Sequence, residues 1–389
     1  MATLKPKGNR VRVDAPERDF FSREQRLGTE QLAGRSMVYG LNGNLYAPID
    51  SISIQPDELR PLREQLVRYG LPVGFESELE VEDGSVIHSL NRSDQDLEFN
   101  IVVAKANRNI RNYLRNQSTT KGWEQFRYKP MCTVKTDGSL NNGGREFVFA
   151  PMTPDFARES NAYSVFEATF STYLWQGHYG ENTGGHMHIP LGAFSDQQLV
   201  LFYKLIEHFA DARLYVQGHH SPERAARFIQ LIGQRKLGGW ARWYRLPSVE
   251  TLFSDISRDN RRGLNTTRNY IVMRTRHNTI ELRFPKGTYS SERAIMRTSF
   301  LNAMYNYTYM IEQLAYTDVT KVLDIFDVDK FVQFVNEQNR WPELKRYLRR
   351  HYNGIGCVTR KDRSKTMLEE VDAYKALFVD SIAHAEGRV

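Results

Sequence analysis

Residues Val73–Val81 read VGFESELEV, and this segment is the basis of the fold prediction for the sequence. Apolar and acidic residues alternate along it, and a period of two is typical of a β-strand with chemically different faces. One face would carry Glu76, Glu78 and Glu80, a short distance apart along the strand. Because three like charges repel, this face is either exposed to solvent or neutralised by a hard cation such as Mg²⁺ or Mn²⁺.

Patterns on both sides of this strand predict the remaining elements. Strands are predicted at 126–136, 145–149 and 186–189, and in a hairpin formed by 269–276 and 279–284. Helices are predicted at 56–69, 154–175 and 291–315, and another begins at a capping box formed by Ser195 and Gln198. Two or three shorter helices are predicted within 328–352 and 365–384. Strands and helices alternate irregularly, and no dinucleotide-binding glycine motif is present. The pattern therefore predicts an α+β fold with a curved antiparallel sheet flanked by helices, not a doubly wound parallel sheet.

Composition limits the class of protein. The 389 residues include 53 Lys and Arg against 46 Asp and Glu, so the net charge is 53 − 46 = +7, and hydrophobic residues make up 40%. These values are typical of a globular protein and exclude collagen-like, disulfide-rich and wholly disordered chains. The basic charges are interleaved with acids, which favours small anionic ligands over nucleic acid.

Location and cysteine chemistry are also constrained by the sequence. Cys132 and Cys357 lie far apart and suggest neither a disulfide framework nor a zinc motif. No apolar run reaches the roughly 18 residues that a membrane span requires. The polar, basic N-terminus does not resemble a secretory signal. We therefore expect a cytoplasmic protein with no membrane partner, and the sequence allows a homo-oligomer.

Two acids stand around a glycine-rich turn. Glu146 lies in the segment 144–151, GREFVFAP, where the neighbouring strand residues are apolar. An acid near a core is costly unless it is paired or bound to a metal, which makes Glu146 a candidate ligand. Asp137 opens the preceding turn, and an Asx turn with Gly138 explains it as well as metal binding does.

Imidazole and guanidinium groups follow on two later strands. In the segment 184–189, GGHMHI, His186 and His188 share one strand face, as expected for metal ligands or phosphate contacts. In the segment 279–284, TIELRF, Glu281 and Arg283 share a face. These two residues form either a cross-strand salt-bridge pattern or, with arginines of the preceding strand, an anion pocket.

Four patches occur in a fixed order: GFESE at 74–78, DGSL at 137–140 with the following GREFV, GHMH at 185–188, and TIELRF at 279–284 with a Gly-Thr pair. In this combination the sequence resembles the amidoligase family, which belongs to the glutamine synthetase-like carboxylate–amine ligase superfamily. The resemblance covers roughly residues 72–300. It implies a glutamine synthetase-like catalytic fold that holds ATP with two divalent cations, Mg²⁺ or Mn²⁺.

The resemblance assigns roles residue by residue. The first metal would be held by Glu78, Glu146 and Asp137, and the second by Glu76, His186 and Glu281. His188 would face the nucleotide phosphates, Arg283 would steady the transferred phosphoryl group, and Arg268 would meet the nucleotide or the substrate carboxylate. Arg283, Glu146 and Glu281 are the implied catalytic residues.

The resulting prediction is an ATP-dependent ligase that joins a carboxylate to an amine, on a small molecule or a protein side chain, through an acyl phosphate. Residues 1–55 are predicted to form an N-terminal arm, 56–320 the catalytic domain and 321–389 a helical extension. Two alternatives remain open at this point. One is another metal-dependent phosphotransfer or phosphodiester enzyme, and the other is an inactive binding or assembly protein on the same fold.

Overall fold

The computed structural model describes residues 31–32, 35–36, 38–39, 45–46, 63–64, 66–81, 89–116, 131–136, 140, 144–172, 177–178, 183–190, 193–214, 226–234, 248–249, 251, 272–274, 279–352, 374 and 378. Most of the predicted helix at 56–69 lies outside these residues, and of the region 365–384, where helices are also predicted, the structure describes residues 374 and 378. Residues 63–64 and 66–69 are helical, and this helix ends at Gly70, whose positive φ of 105° suits glycine.

The strands, in chain order, are β1 (Gln31–Leu32), β2 (Arg35–Ser36), β3 (Val38–Tyr39), β4 (Leu45–Tyr46), β5 (Val73–Val81), β6 (Cys132–Thr136), β7 (Arg145–Met152), β8 (Gly177–His178), β9 (Gly185–Pro190), β10 (Arg213–Leu214), β11 (Ala226–Arg227), β12 (Val272–Arg274) and β13 (Thr279–Leu282). The helices are α1 (Arg92–Asn116), α2 (Pro154–Glu159), α3 (Ala162–Thr172), α4 (Asp196–Asp211), α5 (Phe228–Gly233), α6 (Ser291–Ala315), α7 (Val328–Glu337) and α8 (Pro342–His351). A 3₁₀ segment spans Val319–Phe326.

The chain divides into two compact units. The first comprises Met1–Ala193, Thr275–Leu282 and Lys286–Ile295. The second comprises Phe194–Arg274, Arg283–Pro285 and Met296–Val389. The three-part division into 1–55, 56–320 and 321–389 stays a prediction.

An open antiparallel sheet organises the first unit. Five strands follow one another in the order β13, β9, β5, β7 and β6, and β8 pairs with the end of β5. Every described pairing in this part of the sheet is antiparallel. The predicted mixture of helices with an antiparallel sheet is therefore confirmed, with β5 at its centre.

One face of this sheet is an aromatic core. Phe75, Phe147 and Phe149 point to this face, and helix α3 covers them. The Tyr163 ring lies 4.8 Å from Phe149, and the Phe166 ring lies 5.4 Å from Phe147. Burial of a large aromatic side chain stabilises a fold by roughly 1.5–3 kcal/mol, so this face fixes the strands firmly.

The helix predicted at 154–175 is interrupted, which corrects that prediction. It forms two helices, α2 and α3, because Asn161 adopts a left-handed conformation with φ of 50°. The Ser160 hydroxyl accepts a hydrogen bond from the Ala162 amide at 3.3 Å, which satisfies one of the amides at the start of α3. Asparagine tolerates this backbone conformation better than most residues, which is why the break falls here.

Helix α4 and an aromatic cluster characterise the second unit. The Ser195 hydroxyl accepts a hydrogen bond from the Gln198 amide at 3.0 Å, as the predicted cap requires. Phe209 lies 4.8 Å from Phe228 and 5.0 Å from Phe331, measured between ring centroids. Helix α6 has the predicted bounds. None of the helices that the structure describes is long and apolar enough to cross a membrane.

Candidate metal centre

Strand register brings the predicted charged residues onto the sheet face opposite the aromatic core. Directly opposed residues of antiparallel strands share a face, with Cβ atoms about 4.5–5.5 Å apart. The opposed pairs are Glu78 with Glu146, Glu76 with His186, His188 with Glu281, and Lys135 with Glu146. Five adjacent strands thus contribute to one cluster, here called the acidic cluster: Glu76, Glu78, Lys135, Glu146, His186, His188 and Glu281.

Burial decides between the two interpretations of the acidic strand face. The side chains of Glu76, Glu78 and Glu281 are only 6–7% exposed. A solvent-exposed acidic face is therefore wrong for this strand. Buried carboxylates require nearby positive charge or hydrogen-bond donors, so neutralisation within the cluster is the interpretation that remains.

His186 lies at the centre of the acidic cluster. Its Nδ1 atom is 3.4 Å from Glu76 Oε2, 3.4 Å from Glu281 Oε1 and 4.0 Å from Glu146 Oε1. Its Nε2 atom is 3.4 Å from Glu78 Oε1. One imidazole is thus surrounded by four carboxylates from three other strands.

The donor atoms of this cluster fit a divalent cation. Glu76, Glu146 and His186 each offer one ligand atom, and these three atoms lie within 4.8 Å of one another. The Nε2 atoms of His186 and His188 are buried and lie 3.4 Å from Glu78 Oε1 and 3.3 Å from Glu76 Oε2. Carboxylate oxygens are the ligands that Mg²⁺ and Mn²⁺ prefer, and the imidazole of His186 adds a nitrogen ligand.

Burial and neighbouring charges shift the pKa values of two carboxyl groups of the cluster in opposite directions. Burial alone would raise the pKa of Glu76, but His188 and His186 outweigh it and hold that pKa well below its usual range. Burial, together with the charge of Glu76, raises the pKa of Glu146 to about 9. Without a bound cation, Glu76 therefore carries the negative charge and Glu146 holds a proton at neutral pH.

His188 responds to the same charges. Burial favours its neutral form, but Glu76 and then Glu281 outweigh burial and raise its pKa above the ordinary value. Its Nε2 atom lies 3.3 Å from Glu76 Oε2, and its Nδ1 atom lies 3.3 Å from the Thr279 hydroxyl oxygen. In this structure His188 thus acts as a counter-ion of Glu76.

Two short segments, at Gly184 and at residues 287–288, hold β5 in position. The Glu78 amide donates to the Gly184 carbonyl at 2.8 Å, and the Gly184 amide donates to the Glu78 carboxylate. The Ser77 hydroxyl donates to the Thr288 carbonyl, and the Thr288 amide donates to that hydroxyl oxygen, both at 2.7 Å. A side chain at Gly287 would overlap the Glu78 carbonyl oxygen. Close backbone approach at Gly287 therefore positions Glu78.

Replacing Gly287 by alanine is expected to destabilise the protein by about 1–3 kcal/mol, because backbone atoms cannot move aside cheaply. It should also weaken Mn²⁺ binding by shifting Glu78. Urea denaturation and calorimetry measure the two effects. Gly233→Ala is the matched control, since its added carbon would overlap Phe284 in the second unit and should lower stability with little change in Mn²⁺ affinity. Equal Mn²⁺ losses in both variants would contradict a positioning role for Gly287.

Of the three remaining predicted site residues, the structure describes one. Asp137 and Arg268 lie outside the described residues. Arg283 follows β13 directly in the chain and is half-buried in the second unit. Lys135 was missed by the sequence analysis. The sequence places Lys135 in a predicted strand, on the same face as Thr133, but gives no further indication of a functional role. Its pairing with Glu146 depends on a strand register that the sequence does not reveal.

Comparisons with known proteins add little. The sequence matches no known protein-family profile, and none of the curated proteins matches it. One chain that is similar in structure comes from the crystal structure of the complex between Prokaryotic Ubiquitin-like Protein Pup and its Ligase PafA. The identity is 10% and the TM-score 0.23, over 82% of this chain and 66% of that chain. A likeness at that score carries no argument about function here.

Proposed function

We propose that this chain is an ATP-dependent ligase that joins a carboxylate to an amine in an amide or peptide-type bond. The observation that carries the proposal is the acidic cluster itself. Four glutamates and two histidines from four strands meet on one buried sheet face, in the order of motifs that resembles amidoligases. Burying such a cluster without a bound cation costs free energy, which favours a role in binding cations.

We propose that residues of the acidic cluster hold the cations. Glu76, Glu146 and His186 form one donor set, and Glu78 and Glu281 flank it through His186. Bound Mg²⁺ or Mn²⁺ would neutralise the charge of phosphoryl oxygens in this cluster. The aromatic core behind β5 and the backbone contacts at Gly184 keep these donors in place.

The proposed reaction has two steps. A substrate carboxylate oxygen first attacks the terminal phosphorus of ATP, and the bond from that phosphorus to ADP breaks. The amine nitrogen then attacks the activated carbonyl carbon, the bond to phosphate breaks, and the nitrogen loses a proton to solvent or a base. Arg283 is proposed to steady the transferred phosphoryl group through its fixed charge, because a guanidinium matches phosphate geometry.

The experiment that tests this proposal is an ADP-release screen with Mg²⁺ over libraries of carboxylates and amines. A ligase releases ADP rapidly only when a suitable carboxylate and amine are both present, and mass spectrometry should detect their amide. ADP release with one substrate alone and a stable phosphorylated product would indicate a kinase. Cleavage of DNA or RNA without ATP would indicate a phosphodiesterase. If the protein neither turns over nucleotide nor cleaves nucleic acid, that result would favour a binding or assembly protein.

A further inference from the structure

The acidic cluster is enclosed unevenly. The side chains of Glu76, Glu78, Glu281 and the two histidines are 2–7% exposed, whereas that of Glu146 is 14% exposed. Lys135, opposite Glu146 on β6, is 33% exposed. Exposure thus rises across the sheet toward β6. Of the described members of the cluster, Lys135 and Glu146 are the ones that an entering ligand would meet first.

Lys135 is well suited to meet an anion at this entrance. Its Nζ atom lies 3.8 Å from Glu146 Oε2, which is too long for a hydrogen bond but close enough for the lysine charge to act on that carboxyl group. The flexible lysine stem lets the ammonium group move to a nearby anion without disturbing the strand. Thr133 lies on the same face of β6, and its hydroxyl oxygen is buried and makes no hydrogen bond within the described residues.

We propose that Lys135 binds the phosphate groups of ATP at the β6 side of the acidic cluster. This inference rests on the proposed function, since it assumes that ATP is the ligand. Four ionised carboxylates carry four negative charges, and two divalent cations would only balance them, so carboxylates and cations together offer a polyphosphate no excess positive charge. A lysine at the entrance supplies such a charge, and an ammonium group is a common phosphate ligand. His188, by contrast, is enclosed and engaged with Glu76 and Thr279.

The test replaces Lys135 by methionine, which keeps the length of the side chain and removes its charge. Calorimetry with Mg²⁺ measures binding of ATP and of inorganic tripolyphosphate, and Mn²⁺ binding is measured without nucleotide. We expect Lys135→Met to lower the affinity for ATP and for tripolyphosphate by at least about tenfold each, since charge-assisted contacts of this kind contribute about 1.5–3 kcal/mol. Mn²⁺ affinity should not fall, because the lysine charge opposes a cation.

Two controls separate this role from general damage. Lys135→Arg keeps the charge and should bind ATP within about threefold of the wild type. Lys105→Met removes a half-buried lysine from helix α1, whose Phe99 packs 6.1 Å from Phe147 on the opposite sheet face, and should bind ATP normally. Unchanged polyphosphate binding in Lys135→Met, beside a wild type that binds ATP, would overturn this inference alone. A wild type that binds neither Mn²⁺ nor ATP would overturn the proposed function as well.

Discussion

Glu146→Gln is expected to lower ATP turnover by about 1,000-fold while the protein stays folded. Glutamine has the shape of the protonated carboxyl group that Glu146 presents before a cation binds, so the apo structure should tolerate it. The amide cannot become the anionic oxygen that a hard cation requires, and loss of one such electrostatic contact costs about 100- to 1,000-fold in rate in comparable sites. ADP release and circular dichroism measure the two outcomes.

The matched control is Glu98→Gln on helix α1, which covers the opposite face of the sheet. This variant should turn over ATP at the wild-type rate. Mn²⁺ affinity should fall at least tenfold in Glu146→Gln and stay unchanged in Glu98→Gln. Near-wild-type turnover in Glu146→Gln would refute a role for this carboxylate in cation binding.

The apo protein is expected to lose stability as the pH rises from 5 to 9. The pKa of Glu146 is raised to about 9 in the folded state, so its contribution is complete below the ordinary pKa of a carboxyl group and disappears as the pH approaches 9. The raised pKa of His188 acts in the same direction above its ordinary value. Each group should lower the free energy of unfolding by up to about 1.4 kcal/mol per pH unit between its ordinary and its raised pKa, and the two slopes add where these ranges overlap.

Urea denaturation in the presence of EDTA at pH 5, 7 and 9 measures this dependence. Glu146→Gln carries no proton to lose, so the variant should be more stable than the wild type at pH 9 and similar at pH 5. Adding Mg²⁺ should restore stability to the wild type most strongly at pH 9, because the cation replaces the proton on Glu146. Wild-type stability that rises between pH 5 and 9 without metal would contradict the assigned protonation of the cluster.

Much of the central sheet could be predicted from the sequence. Apolar and acidic residues alternate through Val73–Val81 with the two-residue period of a strand. The apolar residues of this alternation lie on the aromatic face that α3 covers. The same period placed Glu76 and Glu78 together, and the GHMH motif placed His186 and His188 together. These residues share a face because local backbone geometry requires it, whatever the rest of the fold does.

Long-range register and burial could not be predicted in this way. The meeting of Glu146 with both Glu78 and Lys135 depends on how β5, β6 and β7 align, which no local pattern encodes. The alternation also gave no reason to choose between a solvent-exposed and a buried acidic face, because both obey the same period. The helix break at Asn161 was missed because its apolar spacing continues across the break.

Anomalous diffraction from crystals grown with Mn²⁺ would show directly whether the acidic cluster binds a cation. We predict an anomalous peak bounded by Glu76, Glu146 and His186, at metal–ligand distances of about 2.0–2.2 Å, with Lys135 moved away from Glu146. A map without a peak in the acidic cluster, in which His186 keeps its contacts with the glutamates at saturating Mn²⁺, would contradict this prediction.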